Sequence, residues 1–104
     1  MLDKQTVTLN LTVPTVFPKH NVKQGLPVDH VTTSLEVARL KHKHFRKMQT
    51  MAEEQQIHYI MSELTGLSSD DVDELDAEDS AALSEIIFGF MKRYADISRK
   101  LAGD

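Results

Sequence analysis

The chain has no cysteine and no tryptophan, and only four glycines and three prolines among its 104 residues. Without cysteine there is no disulfide framework, no thiolate zinc site and no thiol nucleophile. No Gly-rich phosphate loop can be built, and no serine sits in a G-x-S-x-G elbow. No apolar run approaches the roughly 18 residues that a membrane span needs. The opening stretch, MLDKQTVTLNLTV, lacks a continuous apolar core followed by a small-residue cleavage site. A secretory signal is therefore not expected, and a cytoplasmic setting is the default.

What is present is ordinary globular composition, 40% hydrophobic and 27% charged. The length suits one domain with one modest core. The net charge of −4 conceals an asymmetry. Residues 1–50 carry eight Lys/Arg against three Asp/Glu, whereas residues 51–104 carry four against thirteen. Electrically opposite halves allow a chain to dock on itself or to stack head to tail with copies of itself. The plainer alternative is two solvated faces of different sign.

In residues 6–13, Val7, Leu9, Leu11 and Val13 alternate with polar residues, the period of a half-buried strand. Pro14 weakens its continuation. Residues 14–27 hold Pro14, Pro18, Gly25 and Pro27, which reads as a loop or broken connection. A second strand is expected over 28–37, with Val31, Thr33, Leu35 and Val37 on one face. Two strands alone are marginal in water and must pack on helices or gain strands from a partner.

Helix-forming sequence follows. Phe45, Met48 and Ala52, then Ile57, Ile60, Met61 and Leu64, predict one helix starting near 45–50 and ending at 64 or 65. Gly66 is its expected C-terminal cap. Ser68 caps a short helix, with Asp71 three residues on and Val72 and Leu75 as its apolar side. Asp76 caps the last helix, with Glu78 and Asp79 in its first turn, where carboxylates face free N–H groups. That helix carries Leu83, Ile86, Ile87, Phe90, Met91, Tyr94, Ile97 and Leu101 on one stripe, with Lys92, Arg93, Arg99 and Lys100 toward its C-terminal end. The expectation is a single α+β domain over residues 1–104. An N-terminal antiparallel β-hairpin, 1–40, packs on a small bundle of two to three helices, 41–104, the last of them longest.

Three clusters invite a functional reading. The first is the acidic run, seven Asp/Glu within residues 70–79. An EF-hand loop needs oxygen ligands at positions 1, 3 and 5, glycine at 6 and glutamate at 12, and no register of this run supplies them. A catalytic carboxylate pair needs two different environments, and these acids read as uniformly exposed helix starters. The second is the basic segment Arg39, Lys41, Lys43, Arg46 and Lys47, with Phe45 between. It can contact phosphates and stack a base, or dock on an acidic protein surface. No nucleic-acid-reading motif surrounds it. The third is His42 and His44, two apart, which share a face only on a strand. Flanking lysines repel a cation, so they read as surface histidines, and no metal or cofactor is expected. His20, His30 and His58 have no ligand-like spacing.

The stretch LTGLSSDDVDELDAEDSAALSEIIFGF, residues 64–90, resembles the C-terminal signature of the tail assembly chaperones of Mu-like and related contractile-tailed phages. Leu64, Thr65, Gly66, Leu67 and Ser68 match its start. Val72, Asp73, Leu75, Asp76, Ala77 and Asp79 match its middle, and Leu83, Glu85 and Phe90 its end. The early TVTLNLTVP and VTTSLEVARL are similar to the family's two strands. Many relatives have Arg-Arg-Pro where this chain has Ala38, Arg39 and Leu40. The resemblance implies a non-enzymatic protein of phage or prophage origin, acting in the cytoplasm of a bacterial host and absent from the mature virion. It would coat the tape-measure protein, bring tail tube subunits to it and associate with itself, without nucleic acid or membrane. Ile86, Ile87, Phe90, Met91, Tyr94 and Ile97 are then the candidate contact face, and the basic segment a second docking element. The alternative is a small nucleic-acid-binding regulator using residues 39–47.

Overall fold

The computed structural model describes residues 6–101. Strand β1, Thr6–Val16, pairs antiparallel with β2, Val31–Ala38. Between them lies α1, Pro18–Gln24; after them come α2, His42–Met48, α3, Glu53–Thr65, α4, Ser69–Val72, and α5, Ala77–Leu101. The architecture is thus an N-terminal antiparallel hairpin followed by helices, the last the longest, as the hydrophobic periods imply.

The hairpin departs from the expected pattern in a way that matters. Leu9 faces Leu35 and Asn10 faces Ser34, but the next regular pairs are Thr15 with Thr32 and Val16 with Val31. From the Asn10 pair to the Thr15 pair, β1 advances five residues while β2 advances two. An odd difference reverses which side chains face inward. Leu9, Leu11, Leu35 and Val37 are buried, whereas Val13 and Val31, in and beyond the irregular stretch, are exposed and Thr32 takes the inside place expected for Thr33; Val7, opposite Val37 in the regular ladder, is also exposed. Pro14 sits within this irregular stretch, where no ladder hydrogen bond is asked of it, so the strand runs on to Val16. On the outer face the Thr6 and Thr8 hydroxyls donate to Glu36 at 3.0 and 2.6 Å.

The segment expected to be loop contains α1. Pro18 stands at its first turn, where a missing N–H is harmless, and Gly25 closes it in the left-handed conformation, φ +74°. Buried Asn21 stitches the following turn to the helix, its side-chain amide donating to the carbonyls of Val28 and His30 at 3.2 and 3.1 Å. Phe17, just before the helix, is wholly buried in the core.

The single helix expected up to residue 65 is two. The chain breaks between Met48 and Glu53, and the Gln56 side-chain amide donates to the carbonyls of Met48 and Met51, at 3.0 and 3.4 Å, from the far side of the break. Gly66 ends α3 at φ +77°, with its N–H on the Ser62 carbonyl, as expected. The Ser68 hydroxyl caps α4 by accepting from the Asp71 N–H at 3.2 Å. Asp76 begins α5, its carboxylate accepting from the Glu78 N–H at 3.0 Å. Around these turns Ile60, Met61, Leu64, Leu67, Val72 and Leu75 join the hairpin's inner face, and Leu83 and Ile87 of α5 complete the core.

Candidate docking site

The apolar stripe of α5 changes character along its length. Leu83 and Ile87 are fully buried in the core, Ile86, Phe90 and Met91 pack partly against it, and Tyr94 and Ile97 stand 42% and 51% exposed. The side chains of Arg99 and Leu101 lie outside the described residues. Ile87 is thus removed from the expected contact face: it spends its surface inside the protein. Phe88, off the stripe, is 55% exposed.

Beyond the core, α5 meets α2. The rings of Phe45 and Tyr94 stack with centroids 4.1 Å apart and planes 21° from parallel. This pair lines a groove of about 160 Å³ together with Phe90, Ile97, Arg39, Lys41 and Arg93. Two sequence elements read separately, the basic segment and the end of the α5 stripe, are therefore one surface. Lys43, Arg46 and Lys47 are exposed on α2 outside the groove. The volume is below the roughly 300–1,000 Å³ of small-molecule sites. It suits one or two inserted side chains.

His44 was expected at the surface and is buried instead. Its ring Nδ1 accepts the Lys41 backbone N–H at 2.8 Å, while the His44 backbone N–H donates to the Lys41 carbonyl at 2.9 Å, so the residue closes the start of α2. Burial pushes its pKa down from the usual value, helped by Lys43 and Lys41 and opposed by Glu63. A neutral ring is also what the bond requires, because a protonated Nδ1 cannot accept. A histidine whose folded pKa is lowered contributes stability above its unfolded pKa, near 6.5, and loses it as pH falls below that value. The wild-type urea midpoint should therefore drop between neutral pH and about pH 5.5 by more than that of His44→Gln. Equal drops would show that the ring does not act as this cap.

The acidic run is not uniform, contrary to expectation. Asp70, Asp73, Glu74 and Glu78 are exposed, but Asp71 and Asp79 are 3% and 1% exposed. Asp71 accepts the His20 N–H of α1 at 2.8 Å. Asp79 accepts the N–H groups of Thr12 and Val13 at 2.7 and 3.1 Å, on the irregular stretch of β1. Burial works to raise the Asp79 pKa, but these two bonds and the Thr12 hydroxyl together outweigh it and leave the carboxyl below its ordinary value. Exposed Asp70 pairs with Lys19. The run is therefore a fastening between the helical region and the hairpin as well as a helix starter. No local sequence rule shows this, since the partners lie 51 to 67 residues away.

One further cluster was invisible in the sequence. The Ser69 hydroxyl lies 2.8 Å from His58 Nε2, and Asp73 lies 3.7 Å from His58 Nδ1, beside an open hollow bordered by Met51 and Tyr59. The order is that of a hydroxyl–imidazole–carboxylate relay. The carboxylate gap, however, exceeds hydrogen-bond length, and an exposed Asp73 does not fix the ring as a nucleophilic serine requires. The three groups tie α3 to α4. Among the described residues, no three His, Asp or Glu side chains converge on a common metal position. No helix there is long and apolar enough to cross a membrane.

No family model, curated protein or solved structure matches the chain. The functional reading therefore rests on the groove and on residues 64–90. Those residues divide by role. Leu64, Leu67, Val72, Leu75 and Leu83 are core, Gly66 and Ser68 make turns, and Asp79 fastens β1. They specify the fold. The exposed end of α5 lies beyond them.

Proposed function

We propose that this chain is a phage or prophage tail assembly chaperone that binds the tape-measure protein through the α2–α5 groove. It recruits tail tube subunits, works in the host cytoplasm and leaves before the virion is complete. It does so by reversible contact rather than chemistry. The observation that carries the reading is the convergence of the basic segment with the unburied end of the α5 stripe. Tyr94 and Ile97 offer apolar surface along about one helical turn, the way one helix receives another. The resemblance of residues 64–90 supplies the identity of the partner. A soluble chain that shields such surfaces on a long helical protein keeps it from aggregating. The opposite charges of the two halves suit copies stacked along one filament.

Co-expression with a tape-measure fragment tests this. The fragment should be soluble and co-purify with the wild-type chain. With the double variant Tyr94→Glu, Ile97→Glu it should be lost, while the circular dichroism of the chaperone is unchanged because both side chains are largely outside the core. A fragment that stays insoluble with the wild-type chain, or binds the folded double variant equally, would overturn the proposal.

A further inference from the structure

We infer that the chain pairs with a second copy of itself along the outer edge of β2, so that two hairpins join into one four-stranded sheet about a two-fold axis. This pairing is independent of the α2–α5 groove and of the tape-measure reading.

The hairpin is a two-stranded sheet, so each strand has an outer edge. Helices cover its inner face, but an edge strand also turns the N–H and C=O of alternate residues away from its neighbour. The middle of β1 is closed to a further strand. Asp79 takes the N–H groups of Thr12 and Val13, and Pro14 has none. β2 lacks that protection: Val31–Ala38 contains no proline and no lysine. Among the described residues, no backbone–backbone hydrogen bond joins residues 31–34 to any element but β1. An open hollow of about 440 Å³ runs along this edge, bordered by four consecutive residues, Val31, Thr32, Thr33 and Ser34. Side chains of a strand alternate between its two faces, so four in a row share one hollow along the backbone edge. The opposite wall is α1 and the turn after it, and no β1 residue takes part.

Charge and strand chemistry together fit a second copy of β2. The lining of the hollow holds no Lys, Arg, Asp or Glu, so two identical edges meet there without like-charge repulsion. β2 is itself a suitable added strand, rich in Thr and Val, with Glu36 as its one charged residue. An antiparallel pairing centred on Thr33 keeps the nearest acids apart. Glu36 then falls opposite His30 of the other copy, and Asp29 opposite Val37, so neither meets an acid. Glu36 is in any case engaged by the Thr6 and Thr8 hydroxyls of its own chain. The added strand would also lie beside Leu26 and Val31, which are 36% and 48% exposed at the hollow. Because both copies use the same patch, the assembly closes at two.

Analytical ultracentrifugation of the full chain should show a reversible monomer–dimer equilibrium. Thr33→Lys and Thr33→Glu each set two like charges across the axis, and each should weaken the dimer by about tenfold or more. Mixing the two variants should restore it, because the charges are then opposite. Thr33 is exposed, so both variants should keep the circular dichroism of the wild type. Hydrogen exchange gives a reading that needs no variant. The amides of residues 31–34 should gain protection as the wild-type concentration rises through the dimer transition, whereas those of Thr12 and Val13 should not change. A chain that stays monomeric up to its solubility limit would overturn the inference. So would a dimer that survives both single variants, a mixture that fails to restore it, or dimerisation with no added protection at 31–34. The double variant Tyr94→Glu, Ile97→Glu should remain dimeric. Its loss of the dimer would assign self-association to the α2–α5 groove instead.

Discussion

Asp79→Ala is expected to lower the unfolding free energy by about 2–4 kcal/mol, because it takes a buried carboxylate away from two part-buried strand N–H groups that donate to it. Thr12 and Val13 both donate to this one carboxylate, which is 1% exposed. Each buried donor left without an acceptor costs about 1–3 kcal/mol, partly offset by no longer desolvating the charge. In a domain whose total stability is about 5–15 kcal/mol, that is a large fraction. Asp76→Ala provides the control. It removes a cap at the neighbouring turn, in a less buried position, and should cost only about 1 kcal/mol. The measurement is the urea midpoint, together with hydrogen exchange at the Thr12 and Val13 amides, which should lose protection before the helices do. If Asp79→Ala were no worse than Asp76→Ala, the carboxylate would be a helix starter and nothing more. The sign with pH is also determined. A carboxyl whose folded pKa is depressed contributes its stability above the unfolded value, near 3.9, and loses it as pH falls through the folded one. The fastening therefore holds through the neutral range and weakens only in acid.

Ile87→Ala and Ile97→Ala should behave as opposites although both residues belong to one stripe of one helix. Ile87 is fully buried among core residues, so truncation leaves a cavity and should cost about 2–5 kcal/mol. Ile97 is half exposed, and its truncation should change stability by less than about 0.5 kcal/mol. Binding should reverse the order. Ile97→Ala should weaken capture of the tape-measure fragment, whereas Ile87→Ala, studied at a temperature where it remains folded, should leave it nearly intact. Parallel denaturation and co-purification series on the two variants decide the matter. A large stability loss at Ile97 would mean that the end of α5 is core, and the groove would lose its claim as a docking surface.

The local punctuation was readable from the residues alone. Gly66, Ser68 and Asp76 act on backbone groups within a few positions of themselves, so residue type and spacing suffice to place them. The α1 helix had a usable signal that the density of proline and glycine obscured. Pro18 at the start and Gly25 just past the end are the normal asymmetry of a short helix. The break between α2 and α3 had none. No proline or glycine lies in residues 49–52, and the turn is held by Gln56 reaching back to carbonyls it could not be paired with in advance. The site was half legible. The basic segment and the apolar stripe were each visible, but their meeting at Phe45 and Tyr94, 49 positions apart, depends on how α2 folds back over α5.

The hairpin followed by helices, the turns at Gly66, Ser68 and Asp76 and the amphipathic last helix follow from the sequence by itself, because they depend on contacts a few residues apart and on side-chain period. Tertiary structure alone decided which valines of the hairpin face inward, which two of seven acids are buried, and where the α5 stripe leaves the core. Each of those depends on partners tens of residues away. Three extra residues in β1 change the facing of a strand, and two backbone N–H groups turn a surface carboxylate into a buried tie.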